Sequence, residues 1–229
     1  MKLTQRSPYE SGREYAFRTI RDNIVLTELP PGALVSEKEL ADQMGLSRTP
    51  VREALIDLSK VGIVEVLPQR GSRIAYLNYD LVDEARFMRL AMETAVCKKL
   101  CQMTEPELLD PLLEYISRQA DAIRLGNNDL FLALDDAFHK ALFELAGMVH
   151  AHQLLSGFVI HFDRVRTLSL SPVNNTKMLS DHRELVNALL ARDPLGAEQA
   201  VEKHLSRYKV DEVSIRLRHE SFFRPPADF

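Results

Sequence analysis

The chain has 229 residues, 45% of them hydrophobic and 27% charged, with a formal net charge of −4. That apolar fraction supports a buried core and excludes collagen-like, coiled-coil-only and wholly disordered chains, and the mild negative charge argues against bulk electrostatic binding of nucleic acid. No run approaches the roughly 20 apolar residues of a membrane span, MKLTQRSPYESGREY lacks the apolar segment of a secretory signal, and Cys97 and Cys101 fall in one helical stretch and imply no disulfide framework. The expectation is a cytoplasmic protein with no membrane contact.

Charge is unevenly placed. Residues 1–78 hold 11 Lys/Arg against 10 Asp/Glu, and residues 79–229 hold 18 against 23, so a near-neutral front precedes an acidic back. Two modules with different tasks fit this split. The boundaries read as 1–78, 79–220 and a tail at 221–229.

In chain order, Tyr15, Phe17, Ile20, Ile24, Val25 and Leu26 give helical periodicity over 13–29, stopped by Pro30-Pro31-Gly32. Ser36-Glu37-Lys38-Glu39 reads as a capping box opening a short helix through Met44, with Gly45 as its left-handed cap. Ser47 is the expected cap of a helix from Arg48 to about Lys60, broken at Gly62. Residues 63–67 and 73–76 read as two strands joined at Pro68-Gln69-Arg70-Gly71, a small hairpin. Beyond Asn78 the spacing predicts six helices, about 80–102, 105–125, 129–146, 149–170, 175–191 and 194–220. Thr104, Asn128 and Asp193-Pro194 mark expected starts, and short loops predict an antiparallel bundle. The fold class is therefore mostly α: an N-terminal winged helix-turn-helix with a small β-hairpin, then an all-α bundle.

Two helices, a tight turn, a third helix and a hairpin are the order of a winged helix-turn-helix, whose third helix puts its N-terminal residues against base edges. Here those are Arg48, Thr49 and Arg52; arginine suits guanine O6 and N7, and threonine offers a hydroxyl or methyl. Arg70 and Gly71 form the hairpin tip, where glycine admits close backbone approach to a phosphate or the minor groove, and Lys38 is placed to hold a phosphate. Any one of these charges alone reads as solvated surface; the ordered set reads as a DNA contact. The stretch 34–55, LVSEKELADQMGLSRTPVREAL, with Leu58 through Gly62 and the Arg70-Gly71 tip, resembles the GntR family of bacterial transcription regulators. The resemblance implies that Lys38, Arg48, Thr49, Arg52 and Gly71 contact operator DNA.

In the back half, polar residues interrupt the apolar stripes. Asp135 and His139 share a face with Phe131, Leu134, Phe138 and Leu142, His182 sits among Met178, Leu179, Leu185, Val186 and Leu189, and His204 among Ala197, Ala200, Val201 and Leu205. Burying such groups is costly unless they are hydrogen-bonded, paired or coordinated. One carboxylate and three imidazoles suit a divalent cation such as Zn, Ni, Fe or Mn inside the bundle; the alternative is three hydrogen-bonded core histidines. Asp136 reads as an exposed neighbour.

Residues 79–220 resemble the FCD ligand-binding domain of the FadR subfamily, through Arg89-Leu90-Ala91-Met92-Glu93, Asp135-Asp136-Ala137-Phe138-His139, Asp181-His182-Arg183-Glu184-Leu185 and Glu202-Lys203-His204-Leu205. Six helices rather than seven suggest the shorter, VanR-like branch, and Gly147-Met148 departs from the Gly-Asn found in many members. The resemblance implies metal ligation by Asp135, His139, His182 and His204, and a small organic or sugar acid as effector. Arg89, then Arg164 and Arg166, are the candidate anchors for that acid; an ion-pair role is the competing reading for each.

The combined expectation is a dimeric regulator, in the family's commoner pattern a repressor, binding palindromic double-stranded operator DNA. A metal-dependent enzyme built on the Asp/His3 set, of superoxide dismutase or hydrolytic type, is the alternative. It lacks a clear general acid or base and leaves the front module without a role.

Overall fold

A computed structural model of the chain describes residues 1–102 and 105–223. The expected Thr104 cap and the tail from Arg224 lie outside the described residues. Two units emerge. The first comprises Met1–Leu81, Ile160–Val165 and residues 213–223; the second comprises Val82–Val159 and Arg166–Glu212.

In the first unit, Ser11 precedes α1 (Gly12–Val25), accepts the Glu14 amide on its hydroxyl and donates its own amide to the Glu14 carboxylate at 2.8 Å, a complete capping box. α1 buries Tyr15, Ala16, Ile20 and Ile24. It ends four residues earlier than its periodicity suggests, because Thr27 turns into the left-handed region at φ 59°. β1 (Leu34–Val35) leads into α2 (Glu37–Met44), where the Ser36 hydroxyl accepts the Glu39 amide at 3.1 Å and Gly45 caps the end at φ 64°. α3 (Arg48–Lys60) follows Ser47, whose backbone is extended as a cap requires but whose hydroxyl makes no capping hydrogen bond.

β2 (Val64–Leu67) and β3 (Gly71–Ile74) form the expected hairpin, with Val64 opposite Ile74 and Leu67 opposite Gly71. β1 adds to the other edge of β3, giving the antiparallel order β1-β3-β2. Ile20, Ile24, Val51, Leu55, Leu58, Ile63 and Ile74 close one core, and Ile160 joins it from far along the chain. Each such side chain contributes about 1.5–3 kcal/mol through burial. His161 Nε2 lies 2.9 Å from the Val61 carbonyl, and the Leu77 amide donates to Phe222 O at 2.9 Å, so residues 160–165 and 213–223 are integral to this unit.

The second unit is helical: α4 (Tyr79–Leu100) from Val82, α5 (Asp110–Arg124) after a 3-10 turn at Pro106–Leu109, α6 (Asn128–Leu145), α7 (Val149–Phe158), the end of α8 (Ile160–Ser169), α9 (Pro172–Leu190), α10 (Pro194–Leu205) and the start of α11 (Arg207–Arg218). Asn127, not Asn128, caps α6, its side chain accepting the Leu130 amide. Asp193 caps α10 ahead of Pro194, as expected.

Two expected helices divide. The run 149–170 breaks at Val159 and the run 194–220 at Ser206, so the helix count that suggested a six-helix branch is not kept. α6 packs against α5, and α9 against both α5 and α10. Half of α6 is buried, Phe131, Phe138, Leu142 and Phe143 fully, because neighbours cover it on more than one side.

Candidate functional site

The residues expected to contact nucleic acid open α2 and α3 and tip the hairpin of the first unit. Arg48 and Thr49 open α3 and Lys38 opens α2, all exposed, and Arg70 is exposed at the hairpin tip. Arg52, one turn into α3, is gripped by Glu37 of α2, with Nη2 2.8 Å from Oε2 and Nε 2.9 Å from Oε1. The Arg52 guanidinium holds the Glu37 carboxyl below its ordinary range. Gly71 adopts φ 87°, and a Cβ there would stand 2.8 Å from the Val35 carbonyl, just ahead of α2. Glycine is thus required for the wing to lie against β1, beyond any later approach to DNA. The start of α2 meets both α3, through Glu37, and the wing, through the strand before it.

The second unit gathers the interior polar residues. α6 presents Asp135 and His139 one turn apart, α9 presents His182 and α10 presents His204, all buried. One ligand atom from each lies within 4.8 Å of all the others. His139 Nε2 is 3.1 Å from His204 Nε2, His182 Nε2 is 3.3 Å from Asp135 Oδ1, and His139 Nε2 is 4.0 Å from Asp135 Oδ2. Two imidazoles sharing one divalent cation at ordinary bond lengths stand about 3.0–3.4 Å apart, and the His139–His204 separation matches.

Asp135 Oδ1 and His182 Nε2 are buried without a hydrogen-bond partner, the condition of atoms shaped for a ligand. Phe138 stacks on the His182 ring at 4.2 Å and helps fix its plane. The four side chains fit a divalent metal.

The charge states suit one too. Burial would raise the Asp135 carboxyl, but the Arg166 guanidinium outweighs it and holds it ionised. His182 is pushed well below the usual imidazole range by burial first and by His204 next, and His139 is lowered by burial and then by Arg89. An ionised carboxylate and neutral imidazoles are the protonation states that metal binding demands.

The three candidate arginines have different placements. Arg166 donates Nη1 to Asp135 Oδ2 and Nη2 to Asp136 Oδ1, so it clamps a candidate ligand and its exposed neighbour together. Arg89 is buried, with Nε 2.6 Å from Glu93 Oε1. Arg164 belongs to the first unit, where Nη2 donates to the Ala75 carbonyl at 2.5 Å and burial lowers its pKa to about 10.

Reading stripes for histidines alone passes over Glu93, Gln119 and Asp181, each buried beside a candidate ligand. Glu93 Oε2 lies 3.0 Å from His139 Nδ1, Gln119 Oε1 2.8 Å from His182 Nδ1, and Asp181 Oδ2 3.8 Å from His204 Nδ1. Gln119 interrupts the buried stripe Leu112, Ile116 and Ala122 of α5, the same signal that exposed the histidines.

A winged helix-turn-helix joined to an all-helical second unit with a buried Asp/His3 cluster defines a class: transcription regulators with a separate helical sensor domain. The gntR family of bacterial regulatory proteins matches residues 13–74, and the FCD domain matches residues 84–207. The chain is similar to the HTH-type transcriptional repressor RspR of Escherichia coli K12, 32% identical over 221 residues covering 96% of this chain and 97% of that one. It is 33% identical to an HTH-type transcriptional regulator of Streptomyces ambofaciens, over 95% of this chain and 92% of that one. The solved structure of McbR/YncC from E. coli shares its fold, with TM-score 0.76, 20% identity and coverage of 91% of this chain and 99% of that one. The chain belongs to the GntR family of transcription regulators and carries an FCD domain. These relatives are regulators rather than enzymes, which sets aside the enzymatic reading of the Asp/His3 set.

Proposed function

We propose that the chain is a metabolite-responsive repressor that binds palindromic operator DNA as a homodimer. In this reading its second unit holds one divalent cation and a small organic or sugar acid. The observation that carries it is the convergence of four buried ligand atoms, two without any hydrogen-bond partner, inside an FCD domain.

Asp135, His139, His182 and His204 would hold the cation, with Zn, Ni, Fe and Mn all compatible with the donor set. Bound there, it supplies a positive centre for an anionic ligand. One ionised carboxylate and neutral imidazoles leave a divalent ion with net positive charge, which favours a carboxylate effector over a neutral one. Arg89, paired with Glu93, is the proposed second anchor for that acid, and Arg164 and Arg166 rank after it.

Lys38, Arg48, Thr49, Arg52, Arg70 and Gly71 form the proposed operator contacts. Lys38, Arg70 and the Gly71 backbone position the phosphates, while Arg48, Thr49 and Arg52 meet base edges. Exposed Phe87, Leu154 and Phe158 on the second unit support a dimer contact there. Repression is the activity named for RspR. Operator binding places the protein in the cytoplasm, and no helix among the described residues is long and apolar enough to cross a membrane.

The test is selection of duplexes from a random pool by purified protein, followed by anisotropy titration with a panel of carboxylates, with and without chelator. Two symmetric half-sites about one helical turn apart, and a carboxylate whose effect on operator affinity vanishes on chelation, are expected. Selection of asymmetric or unrelated sequences would overturn the dimeric operator reading. A carboxylate effect indifferent to chelator would overturn the metal-assisted one.

A further inference from the structure

We infer that Gln119 is a positioning residue that locks buried His182 in the tautomer whose Nε2 lone pair turns toward Asp135 and the other candidate ligands. The inference rests on the metal reading above and deepens it. Gln119 is fully buried on α5. Its Nε2 donates to the Leu134 carbonyl at 3.2 Å. A carbonyl only accepts, so the amide nitrogen belongs on that side and Oε1 must face His182 Nδ1, at 2.8 Å. An amide oxygen also only accepts. His182 therefore carries its proton on Nδ1, and Nε2 presents its lone pair toward Asp135 Oδ1.

The other two rings have carboxylates rather than an amide on their outer side. Glu93, ionised beside Arg89, faces His139 Nδ1, and Asp181, paired with Arg207, faces His204 Nδ1. Both rings turn Nε2 inward, where those two nitrogens meet at 3.1 Å. His182 thus has an acceptor hydrogen-bonded to its outer nitrogen, while the outer nitrogens of His139 and His204 face carboxylates without a hydrogen bond. A ligating histidine depends on such an acceptor to fix its tautomer.

The test is long-range 15N–1H imidazole spectroscopy on the metal-free full-length protein, paired with cobalt(II) binding followed by visible absorption and chelator competition. The wild type should show His182 protonated on Nδ1 before any metal is added. Gln119→Leu, close in size and without an acceptor, should release His182 into a tautomer mixture and weaken cobalt(II) binding about 10–100-fold. Gln119→Glu, which keeps an acceptor, should restore the Nδ1–H form. If Gln119→Leu fails to fold, the wild-type spectrum alone decides, because Nε2–H at His182 overturns the inference. Unchanged tautomer and cobalt affinity in folded Gln119→Leu overturn it as well. A wild type that shows the locked His182 tautomer yet takes up no cobalt(II) overturns the metal reading instead, so the two failures are distinguishable.

Discussion

Arg166 reaches both carboxylates of the Asp135-Asp136 pair, one nitrogen to each. Asp135 is buried and Asp136 exposed, so a single side chain ties an interior candidate ligand to the surface. With Oδ2 committed to Arg166, Asp135 offers only Oδ1 inward. Replacing Arg166 by Met should leave an uncompensated buried carboxylate, at a cost of about 3–5 kcal/mol. Thermal or denaturant unfolding of the metal-free variant measures it, and a loss below 1 kcal/mol would show that Arg166 is not the partner holding Asp135 ionised.

Metal should stabilise the folded protein by mass action. Added zinc at about 100 times its dissociation constant should raise unfolding free energy by about 2.7 kcal/mol. His182→Ala should remove most of that increment while the variant keeps its helical circular dichroism. Equal stabilisation of wild type and variant would mean that the metal binds elsewhere.

The metal-free protein should lose stability as pH falls, in two stages. His139 and His182 are depressed below their ordinary 6.5, so below that value the unfolded chain takes up protons that the folded chain refuses. Stability is therefore full above about 6.5 and declines on the acid side. Asp135, Glu93 and Asp181 are also held low, but the stability they contribute is lost only below about pH 4, where unfolded carboxylates begin to protonate. An unfolding midpoint flat between about pH 7 and 5 would contradict the histidine stage.

On the DNA side, Arg52→Ala should cost about 1–3 kcal/mol of operator affinity and relax preference at one base position. Arg70→Ala should weaken all duplexes alike and flatten the salt dependence. Anisotropy titrations at two salt concentrations separate these outcomes, and identical effects of the two variants on every duplex would remove Arg52 from base readout.

Gly71→Ala should cost more stability than Gly45→Ala. Both have positive φ, a strain of about 1–2 kcal/mol for an L-residue, but only at Gly71 does the new Cβ run into backbone, the Val35 carbonyl. Unfolding measurements on the two variants give the order. Equal losses would show that β1 and the wing yield freely.

The caps and punctuation of the front unit were legible because they are local. Ser36, Gly45 and the 68–71 turn each act within a few residues, and α2 and the hairpin fall where they point, whereas α1 stops short of Pro30-Pro31. β1 was not legible, since two residues leave no alternation to read. Nor were the breaks at Val159 and Ser206, neither of which is a proline or glycine.

The four candidate ligands stood out as polar residues in apolar stripes. Their outer partners did not, because Glu93 follows Arg89 by four and reads as an ordinary helical ion pair, while nothing local marks Asp181 as a partner of His204. Helical periodicity tells which face is buried but not against what, so the packing of Ile160 with Ile20 and Ile74 has no sequence signal.

That packing bears on how the protein is made. The first unit draws on Met1–Leu81, on Ile160–Val165 and on residues 213–223, so its core stays open while the ribosome adds some roughly 140 more residues. At roughly 5–20 residues per second the N-terminal helices wait roughly 7–30 s for Ile160 and the Leu77–Phe222 hydrogen bond. Until those segments emerge, α3 stands on a core that lacks two of its contributing segments.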